Sequence, residues 1–421
     1  MVGVEDTQIA VIGSGPAGCY LTQSLLRALP NAQITVFDRL ASPFGLIRYG
    51  IATDHQHTKA ITRQFDRMFA DPRVRFAGNV RIGEDIGLED IQKNFDKVVL
   101  ATGLTSDRKL SLPGDSLPGV YGAGEITRIL NSHPGAPKTL PEFGKRTVII
   151  GGGNVAIDLL RFLVKDEHGF EASDITDQVL EAYLANPVQH ITLAQRSQPA
   201  NSKADAQMLK ELATLNRATY STQNKLEATE DFDRAQAARV NAFAAMVQED
   251  REITGGPDVE LAFGHVPLRV LGETKVEGVE FAIGDDVVVI EADSVITAIG
   301  FNAMAEELAD LTASPSESGR IAEGLYRTGW ARRGPQGAIP ENRACAKLVA
   351  DEIVQDLQSD TADSASRLGF NGLPEPVKQQ SISFADWQKI DEHEKATAPD
   401  GRVRMKVSDH LEMVTIAGKQ N

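Results

Sequence analysis

Short runs of apolar residues that end in glycine and lead into amphipathic helices recur along this chain. One run covers residues 9–12 and ends in the glycine-rich segment 13–18, and another covers residues 148–150 and ends in the segment 151–156. Apolar runs this short and continuous are typical of parallel strands that are buried on both faces. The sequence therefore predicts two separate units in which a buried strand turns directly into a helix.

Two later apolar runs support the interpretation as two units. Residues 98–103 read VVLATG and residues 295–300 read VITAIG, each downstream of its own glycine turn. We expect each run to be the strand that closes its unit, where the chain passes from one domain to the other. Between them, the alanine-rich segment 231–250 predicts a helix, and the alternation of apolar and polar residues around Gly284 and Asp285 predicts a hairpin.

The order of these elements predicts an α/β protein with two dinucleotide-binding (Rossmann-like, three-layer ββα) domains, the second inserted into the first. We expect the first part of the outer domain at residues 1–104, the inserted domain at 105–320, and the second part of the outer domain at 321–421. The segments 107–125 and 312–324 are rich in proline, glycine or serine and are predicted to be the two crossovers.

The C-terminal part of the chain reads as an extension of the outer domain. It begins with a polar stretch near residue 359, after which Ser383 is predicted to cap a helix that has Asp386 in its first turn. Imperfect alternation in residues 401–413 predicts a strand and a short helix. We expect this extension to pack on the outer domain, and we assign no chemistry to it.

Composition and charge narrow the possible functions. Hydrophobic residues make up 42% of the chain and charged residues 24%, as in ordinary globular proteins. The formal net charge of −16 argues against nucleic acid or an anionic membrane as the main partner. No apolar run approaches the roughly 18 residues of a membrane span, and no signal-peptide pattern is evident. We therefore expect a cytoplasmic protein, and we take it to be a monomer.

The two cysteines exclude several kinds of redox centre. Cys19 and Cys345 are far apart in sequence and belong to no C-x-x-C pair, so a dithiol centre is not predicted. Two thiols are also too few for an iron–sulfur cluster of the usual four-ligand type. We predict no metal site, and we expect Cys19 to be a small buried residue of the first helix.

The first glycine turn has the G-x-G-x-x-G spacing of a dinucleotide site. Gly13 permits the tight turn, Gly15 lets the backbone approach a pyrophosphate, and Gly18 allows the helix to pack on the strand. The next strand ends at Asp38, whose carboxylate can accept hydrogen bonds from a ribose 2′-hydroxyl. This unit is therefore predicted to bind a dinucleotide with a free 2′-hydroxyl, such as FAD or NAD.

The second glycine turn has the spacing G-x-G-x-x-A, formed by Gly151, Gly153 and Ala156. The strand that follows, within residues 190–197, ends near Arg196 instead of a carboxylate. An arginine can pair with a 2′-phosphate, which favours NADP, although Arg196 taken alone is equally compatible with a solvated surface residue. Two unlike dinucleotides on one chain indicate a flavin that exchanges hydride with a nicotinamide.

With these residues in hand, the chain resembles the adrenodoxin-reductase type of ferredoxin–NADP reductase over nearly its whole length. Besides both glycine turns, the resemblance is carried by PFGLIRYGIATDHQHTK at 43–59, GNVAID at 153–158, KEL at 210–212 and GLYRTGWARRGPQGAI at 324–339. The C-terminal extension is similar to that of actinobacterial members. The resemblance implies FAD and NADP as cofactors and an acidic iron–sulfur ferredoxin as partner.

The resemblance also implies which residues form the site. The implied FAD contacts are Gly13, Gly15, Ala17, Gly18, Asp38, Arg39, Gly45, Leu46, Arg48, Ala101, Thr102, Gly103, Trp330, Gly337, Ala338 and Ile339. The implied NADP contacts are Gly151, Gly153, Asn154, Val155, Ala156, Arg196, Ser197, Lys203, Glu211 and Gly337. His55 and Glu211 are implied to flank the nicotinamide and to position it, with no acid or base role.

One departure from the family pattern bears on the choice between NADPH and NADH. Members of the family usually carry two consecutive arginines where this chain has Arg196 and Ser197. Losing one guanidinium from a 2′-phosphate clamp removes a charged hydrogen bond of about 1.5–3 kcal/mol. Lys203 is a candidate substitute, and the sequence leaves the preference between the two nucleotides open.

The function implied by the resemblance is that of a ferredoxin–NADP(+) reductase, a flavoprotein oxidoreductase. It would transfer hydride between NADPH and FAD and single electrons between FAD and ferredoxin. Arg327, Arg332 and Arg333 are candidates for a basic spot that receives the ferredoxin, against the alternative of ordinary solvated charges.

Other functions share parts of this sequence pattern. A disulfide reductase needs a C-x-x-C pair, and a subunit like the small one of glutamate synthase would carry cysteine-rich cluster sites, so both are excluded. A NAD(P)H-dependent flavoprotein reductase with another acceptor, of the quinone or diaphorase type, stays open, as does a non-catalytic NADP-binding regulator. The sequence identifies neither the ferredoxin nor the direction of electron flow.

Overall fold

The computed structural model of the chain describes residues 7–248, 250–303, 308–312, 314–337, 339–359 and 367–419. Its strands are, in chain order, β1 (Gln8–Ile12), β2 (Gln33–Phe37), β3 (Val74–Ala77), β4 (Lys97–Leu100), β5 (Ser106–Asp107), β6 (Val120–Gly122), β7 (Arg146–Ile150), β8 (His190–Gln195), β9 (Thr219–Ser221), β10 (Asp258–Phe263), β11 (Val266–Leu271), β12 (Gly278–Ile283), β13 (Asp286–Glu291), β14 (Ser294–Thr297), β15 (Phe301–Asn302), β16 (Arg320–Ala322) and β17 (Leu325–Arg327).

The helices follow the strands as connections and as covering layers. In chain order they are α1 (Pro16–Ala28), α2 (Leu46–Tyr49), α3 (Gln56–Lys59), α4 (Thr62–Phe69), α5 (Leu88–Asn94), α6 (Ala123–Leu130), α7 (Asn154–Val164), α8 (Asp177–Leu184), α9 (Ala206–Thr214), α10 (Arg234–Met246), α11 (Ala309–Thr312), α12 (Trp330–Arg333), α13 (Ile339–Ser359), α14 (Glu375–Gln380), α15 (Phe384–Ala396) and α16 (His410–Ile416).

The first sheet is built from both ends of the chain. Its strand order is β16-β17-β4-β1-β2-β3, and all neighbours are parallel except the antiparallel pair β16 and β17. In β1 the last four residues are buried, as expected for a strand covered on both faces. The late strand β17 pairs with β4, so the chain returns to this sheet after leaving it.

The second sheet comes entirely from the middle of the chain. Its order is β6-β14-β7-β8-β10-β9, with every pair parallel. The runs VVLATG and VITAIG supply β4 of the first sheet and β14 of the second. The predicted α/β fold, with one dinucleotide-binding unit inserted into another, is confirmed.

Two short antiparallel sheets complete the architecture. Strands β5 and β15 pair with each other directly after β4 and β14, so the two passages between the units run side by side. Strands β11, β12 and β13 form a meander. The hairpin predicted around Gly284 and Asp285 joins β12 to β13, and the helix predicted in residues 231–250 is α10.

The C-terminal extension packs on the first unit, as expected. Trp387 and Ile390 of α15 and Met413 of α16 are buried in the core that also holds residues of β1 and α1. The ring of Phe44 meets that of Trp387 edge to face, with centroids 6.4 Å apart. The predicted capping box of Ser383 and Asp386 is confirmed at the start of α15.

The strand predicted in residues 401–413 is wrong, whereas the short helix is α16. Residues 401–407 form no strand, and their backbone makes an isolated parallel bridge between Arg402 and Ser173. The neighbouring backbone around Ser173 is itself an irregular connection, so no ladder can propagate from that bridge.

Across the part of the chain that the structure describes, every helix is too short or too polar to span a lipid bilayer.

Candidate active site

The first glycine turn leaves no space for a side chain at two of its three glycines. Gly13 has φ +112°, in the region that favours glycine, and a Cβ on it would collide with the carbonyl oxygen of Ala101. A Cβ on Gly18 would collide with the carbonyl oxygen of Gly13. A Cβ on Gly15 would meet no atom within 4 Å, so the backbone at the start of α1 is accessible to a phosphate group there.

Asp38, directly after β2, is fixed by the same turn. Its Oδ2 accepts hydrogen bonds from the Ser14 hydroxyl and from the Ser14 backbone N, the latter at 3.0 Å, and its Oδ1 accepts one from the backbone N of Leu40. Burial raises the pKa of Asp38, while the hydrogen bonds from Ser14 oppose that rise. The orientation of this carboxyl group is therefore set by the protein itself.

A cavity of about 350 Å³ opens beside the first glycine turn. Most residues that the resemblance implied for FAD line it: Gly13, Gly15, Ala17, Asp38, Arg39, Gly45, Leu46, Ala101, Thr102, Gly103, Trp330, Gly337 and Ile339. Val155, in the first turn of α7, lines it too. Both helices that follow glycine turns, α1 and α7, thus contribute to one cavity.

One wall of this cavity is aromatic. The rings of Phe301 and Trp330 stack with centroids 5.7 Å apart and planes 20° apart, and both residues line the cavity. The Nε1 of Trp330 is buried and has no acceptor among the residues that the structure describes. A buried donor without a protein acceptor suits a ligand that brings its own acceptor, so this wall fits a polar aromatic cofactor.

The second glycine turn repeats the construction of the first. Gly151 has φ +138°, and a Cβ on it would collide with the carbonyl oxygen of Ala298, as Gly13 would with Ala101. A Cβ on Gly153 would meet no atom within 4 Å. The turn is braced by Asn154, whose Oδ1 accepts a hydrogen bond from the backbone N of Asp205 at 2.8 Å.

The cations near this turn are accessible. Arg196, directly after β8, is exposed, Ser197 is half-buried, and Lys203 is exposed. Lys203 is tied to the turn because its backbone forms an isolated parallel bridge with Gly153. Two positive side chains therefore flank the turn that would bind the second nucleotide.

A cluster of charged residues joins the two units. His55 Nε2 lies 3.2 Å from Glu211 Oε1, and His55 Nδ1 lies 3.8 Å from Asp158 Oδ1. Arg161 Nη2 donates to Glu211 Oε1 at 2.7 Å and to Asp54 Oδ2 at 2.8 Å. Asp54 and His55 precede α3 in the first unit, and the other three residues belong to α7 and α9 in the second.

The environment of this cluster shifts the pKa values of Asp54, His55 and Asp158. Burial acts to raise the pKa of Asp54, but the Arg161 and Lys165 charges lower it overall. Burial, together with the Arg161 charge, lowers the pKa of His55, which favours the neutral imidazole. Burial raises the pKa of Asp158 from 3.8 to about 7, because the nearby Asp54 and Glu211 charges add to burial and Arg161 offsets only part. The charge of the cluster therefore changes near neutral pH.

Comparison with known proteins agrees with this geometry. The family model described as pyridine nucleotide-disulphide oxidoreductase matches residues 7–323. The chain belongs to the pyridine nucleotide-disulphide oxidoreductase family. Its two cysteines, Cys19 and Cys345, are both free and buried in this chain.

Relatives within the family are similar over nearly the whole chain. Cindoxin reductase of Citrobacter braakii is 39% identical over 99% of this chain and 92% of its own length. The probable ferredoxin/ferredoxin–NADP reductase of Mycobacterium tuberculosis H37Rv is 34% identical over 98% of this chain and 76% of its own length. The structure of Mycobacterium tuberculosis FprA in complex with NADPH matches with a TM-score of 0.88 and 27% identity, over 98% of this chain and 99% of that one. The resemblance inferred from the sequence is confirmed.

Some members of the charged cluster were not identified from sequence. Asp54 and Asp158 lay inside the motifs used for the resemblance, but without a role. Arg161 follows Asp158 at helical spacing on the apolar helix α7, and Lys165 comes directly after the end of that helix. Lys165 is ion-paired with Asp54. Charged residues at that spacing within a helix that packs in the core are a usable signal for a buried network.

Two of the implied FAD residues, Gly18 and Arg48, stand apart from the cavity lining. Gly18 lies beneath the turn, in contact with Gly13. Arg48 is buried and does not line the cavity, and its guanidinium lies 5.0 Å from the Tyr49 ring centroid and 4.8 Å from that of Trp387. Ala338 lies outside the described residues.

Of the three arginines predicted to receive ferredoxin, Arg332 is not available on the surface. Arg332 is buried, and its guanidinium donates to the backbone oxygen of Glu317 and to the Cys345 sulfur. It cannot meet a partner protein, because α12 points it into the core of the first unit. Arg327 and Arg333 are half-buried, and each donates to a backbone oxygen, of Leu311 and Gln336 respectively.

A second, wider cleft adjoins the cavity. Its volume is about 840 Å³, and it shares Arg39, Arg81 and Arg128 with the cavity. Its lining also includes Arg108 and Lys109, both exposed. The lining holds five arginine and lysine side chains against the carboxylates of Asp107, Asp115 and Glu125, so it carries a local excess of positive charge on a chain with a formal net charge of −16.

Proposed function

We propose that this chain transfers hydride between NADPH and FAD and passes single electrons between FAD and an iron–sulfur ferredoxin. The observation that carries the proposal is a single cavity lined from both dinucleotide units, by Ala17 after the first glycine turn and by Val155 after the second. The named relatives support the oxidoreductase class and the cofactors FAD and NADP.

The first unit would hold FAD. The turn at Gly13 and Gly15 offers backbone N–H groups to the pyrophosphate, and the fixed carboxyl group of Asp38 suits a ribose hydroxyl. Trp330 offers its unpartnered Nε1 in the cavity wall. Bound FAD supplies the conversion between two-electron and one-electron transfer, which no side chain of the protein can perform.

The second unit would hold NADP. Its glycine turn at Gly151 and Gly153 is as open to a pyrophosphate as the first. Arg196 and Lys203 are the cations that we assign to the 2′-phosphate, together with the hydroxyl of Ser197. The carboxylate of the first unit is replaced here by positive charge, which supports different nucleotides at the two turns.

We assign to His55 and Glu211 the positioning of the nicotinamide. A neutral His55 held between Glu211 and Asp158 has a fixed ring orientation, and the Arg161 guanidinium holds Glu211 in turn. These residues orient the ring and exclude water, and they need not move a proton because hydride transfer requires none.

The assignment extends to domains and compartment. We place FAD in a domain of residues 1–104 and 321–421 and NADP in residues 105–320. We also place the protein in the cytoplasm, because its two free buried thiols suit a reducing compartment. We take the protein to act as a monomer.

The docking surface for ferredoxin is proposed near Arg327 and Arg333, without the buried Arg332. Arg108 extends it, because a Cβ on Gly300 would lie 3.9 Å from Arg108 Cζ and 3.7 Å from Pro335 Cγ, two residues after Arg333. The exposed Arg108, together with the half-buried Arg327 and Arg333, would attract an acidic carrier close to the cavity.

A second candidate acceptor has support of its own. The relative at 39% identity is named a reductase of cindoxin and not of ferredoxin. An NADPH-dependent reductase with a carrier other than ferredoxin is therefore the alternative, and its chemistry at the flavin is unchanged.

The experiment compares NADPH and NADH as reductants and follows cytochrome c reduction with and without added ferredoxin. The proposal predicts NADPH-dependent reduction that ferredoxin stimulates. Reduction without stimulation by ferredoxin would move the acceptor to the alternative. No reduction with either nucleotide would contradict the proposal.

A further inference from the structure

The C-terminal segment of residues 401–407 is fastened to the inserted unit. The backbone N of Val403 donates to the Ser173 oxygen at 3.0 Å, and the backbone N of Ala172 donates to the Gly401 oxygen at 2.8 Å. Arg402 adds a side-chain anchor, since its Nη2 lies 2.9 Å from Asp177 Oδ1. These contacts attach one side of the segment to the inserted unit.

The other side of the same segment is fastened to the first unit through Glu394 of α15. The backbone N of Met405 donates to the backbone oxygen of Glu394 at 2.8 Å. The backbone N of Val407 donates to the side-chain Oε1 of Glu394 at 3.0 Å. The Glu394 side chain is 0% exposed and pairs with the buried guanidinium of Arg48. Arg48 lies in α2, whose first residue, Leu46, lines the cavity proposed for FAD.

Lys406 joins the two sides at the centre. Its Nζ donates to the backbone oxygen of Arg48 at 3.0 Å and to Asn131 Oδ1 at 3.1 Å, and it lies 3.0 Å from Asp174 Oδ2. The side chain is 1% exposed, and these three acceptors match the three donors of an ammonium group. Lys406 thus connects α2, beside the cavity, to Asn131 and Asp174 of the inserted unit, and the buried Lys59 also donates to Asn131 Oδ1.

The connection extends to the nicotinamide-side cluster. The backbone N of Asp174 donates to the Thr53 oxygen at 3.1 Å, two residues before His55. The carboxylate of Asp174 also accepts two hydrogen bonds at 2.8 Å from Lys59, at the end of the short helix α3 that His55 precedes. Asp174 therefore holds the segment that carries His55, while Lys406 holds Asp174.

On the basis of the proposed function, we infer that Lys406 and Glu394 are positioning residues for hydride transfer. They lock the loop beside the first cavity against the inserted unit, so that the distance between flavin and nicotinamide depends on the C-terminal extension. Both residues bury an ionisable group, which is costly unless its hydrogen-bond partners are held in place. The rate of hydride transfer depends strongly on that distance, because a misplacement of about 1 Å can lower the rate on the order of a hundredfold.

The test uses the FAD-loaded full chain with Lys406→Met, which removes the ammonium but keeps side-chain length. Arg402→Met is a second variant that loosens the same segment at its surface end, in case the first does not fold. Ser383→Ala is the matched control, because it weakens the cap of the helix that carries Glu394 without touching the network. Each protein is compared in thermal midpoint, in the change that NADP⁺ produces in the flavin absorption spectrum, and in the limiting rate of flavin reduction by NADPH.

We expect Lys406→Met to diminish the NADP⁺-induced spectral change and to lower the limiting rate at least about tenfold, with bound FAD retained. Arg402→Met should act in the same direction by a smaller factor. The control should lose thermal stability and keep both the spectral change and the rate. If the two network variants behave like the control, the segment is only structural and the inference is overturned. If NADPH does not reduce the flavin of the unaltered protein, the proposed function itself fails.

Discussion

His55 Nε2 lies 3.2 Å from Glu211 Oε1, although the two residues are 156 positions apart in the chain. The contact spans the two dinucleotide units, since His55 precedes α3 of the first and Glu211 lies in α9 of the second. Arg161 holds the same carboxylate oxygen at 2.7 Å. The pair is thus part of the interface that brings the two cofactor sites together.

Glu211→Gln tests this pair. The amide removes the charge that Arg161 and His55 share, and a charged hydrogen bond is worth about 1.5–3 kcal/mol. We expect the limiting rate of flavin reduction by NADPH, followed anaerobically by stopped flow, to fall about tenfold. Lys210→Gln, on the same helix but exposed, is the control and should leave the rate unchanged. An unchanged rate in Glu211→Gln would remove Glu211 from the site.

Asp158 gives a prediction about stability and pH. Its pKa is raised from 3.8 to about 7 in the folded protein, so the folded state keeps the proton over that interval while the unfolded state loses it. The stabilising contribution is complete below the unfolded pKa and is lost as the pH rises through the folded one. The thermal midpoint of the wild type relative to Asp158→Asn should therefore fall between about pH 4 and about pH 7 and level off above that. Parallel pH profiles for the two proteins would contradict a raised pKa.

Local patterns sufficed to predict much of the fold and of the site. The glycine spacing at 13–18 and 151–156, the apolar strand before each turn, and Asp38 at the end of the next strand all lie in short stretches that the sequence displays directly. The hairpin at Gly284 is equally local. These are the parts of the protein where a short stretch of chain determines its own conformation.

The rest depends on residues that are distant in sequence. Arg48 matched a cofactor motif, yet its guanidinium pairs with Glu394, 346 positions later. Arg332 lay in an arginine-rich run, yet the packing of α12 against Cys345 buries it. No periodicity in the sequence records which long-range partner a buried ion will find, so these placements required the structure.

Arg196 tests the nucleotide preference. If this guanidinium pairs with the 2′-phosphate, Arg196→Ala should lower kcat/KM for NADPH by about tenfold to a hundredfold, because it removes a charged hydrogen bond. The value for NADH should stay the same. Arg63→Ala, an exposed arginine of α4, is the matched control. Equal losses with both nucleotides would contradict the pairing, and a remaining preference for NADPH would point to Lys203.

Arg108 tests the docking surface. Arg108→Glu reverses an exposed charge beside the cavity and should raise the KM for ferredoxin several-fold at low salt, with the difference shrinking as salt screens the interaction. Direct reduction of ferricyanide by the NADPH-reduced protein is the control readout and should not change. An unchanged KM for ferredoxin in Arg108→Glu would show that ferredoxin docks elsewhere.

We propose that one chain holds two unlike dinucleotides whose redox rings meet in the cavity between α1 and α7. Anaerobic addition of NADPH to the purified, FAD-loaded protein tests it most directly. We expect equimolar NADPH to bleach the flavin absorption within seconds and NADP⁺ to appear in equal amount. A flavin that keeps its oxidised spectrum with NADPH in excess would contradict it.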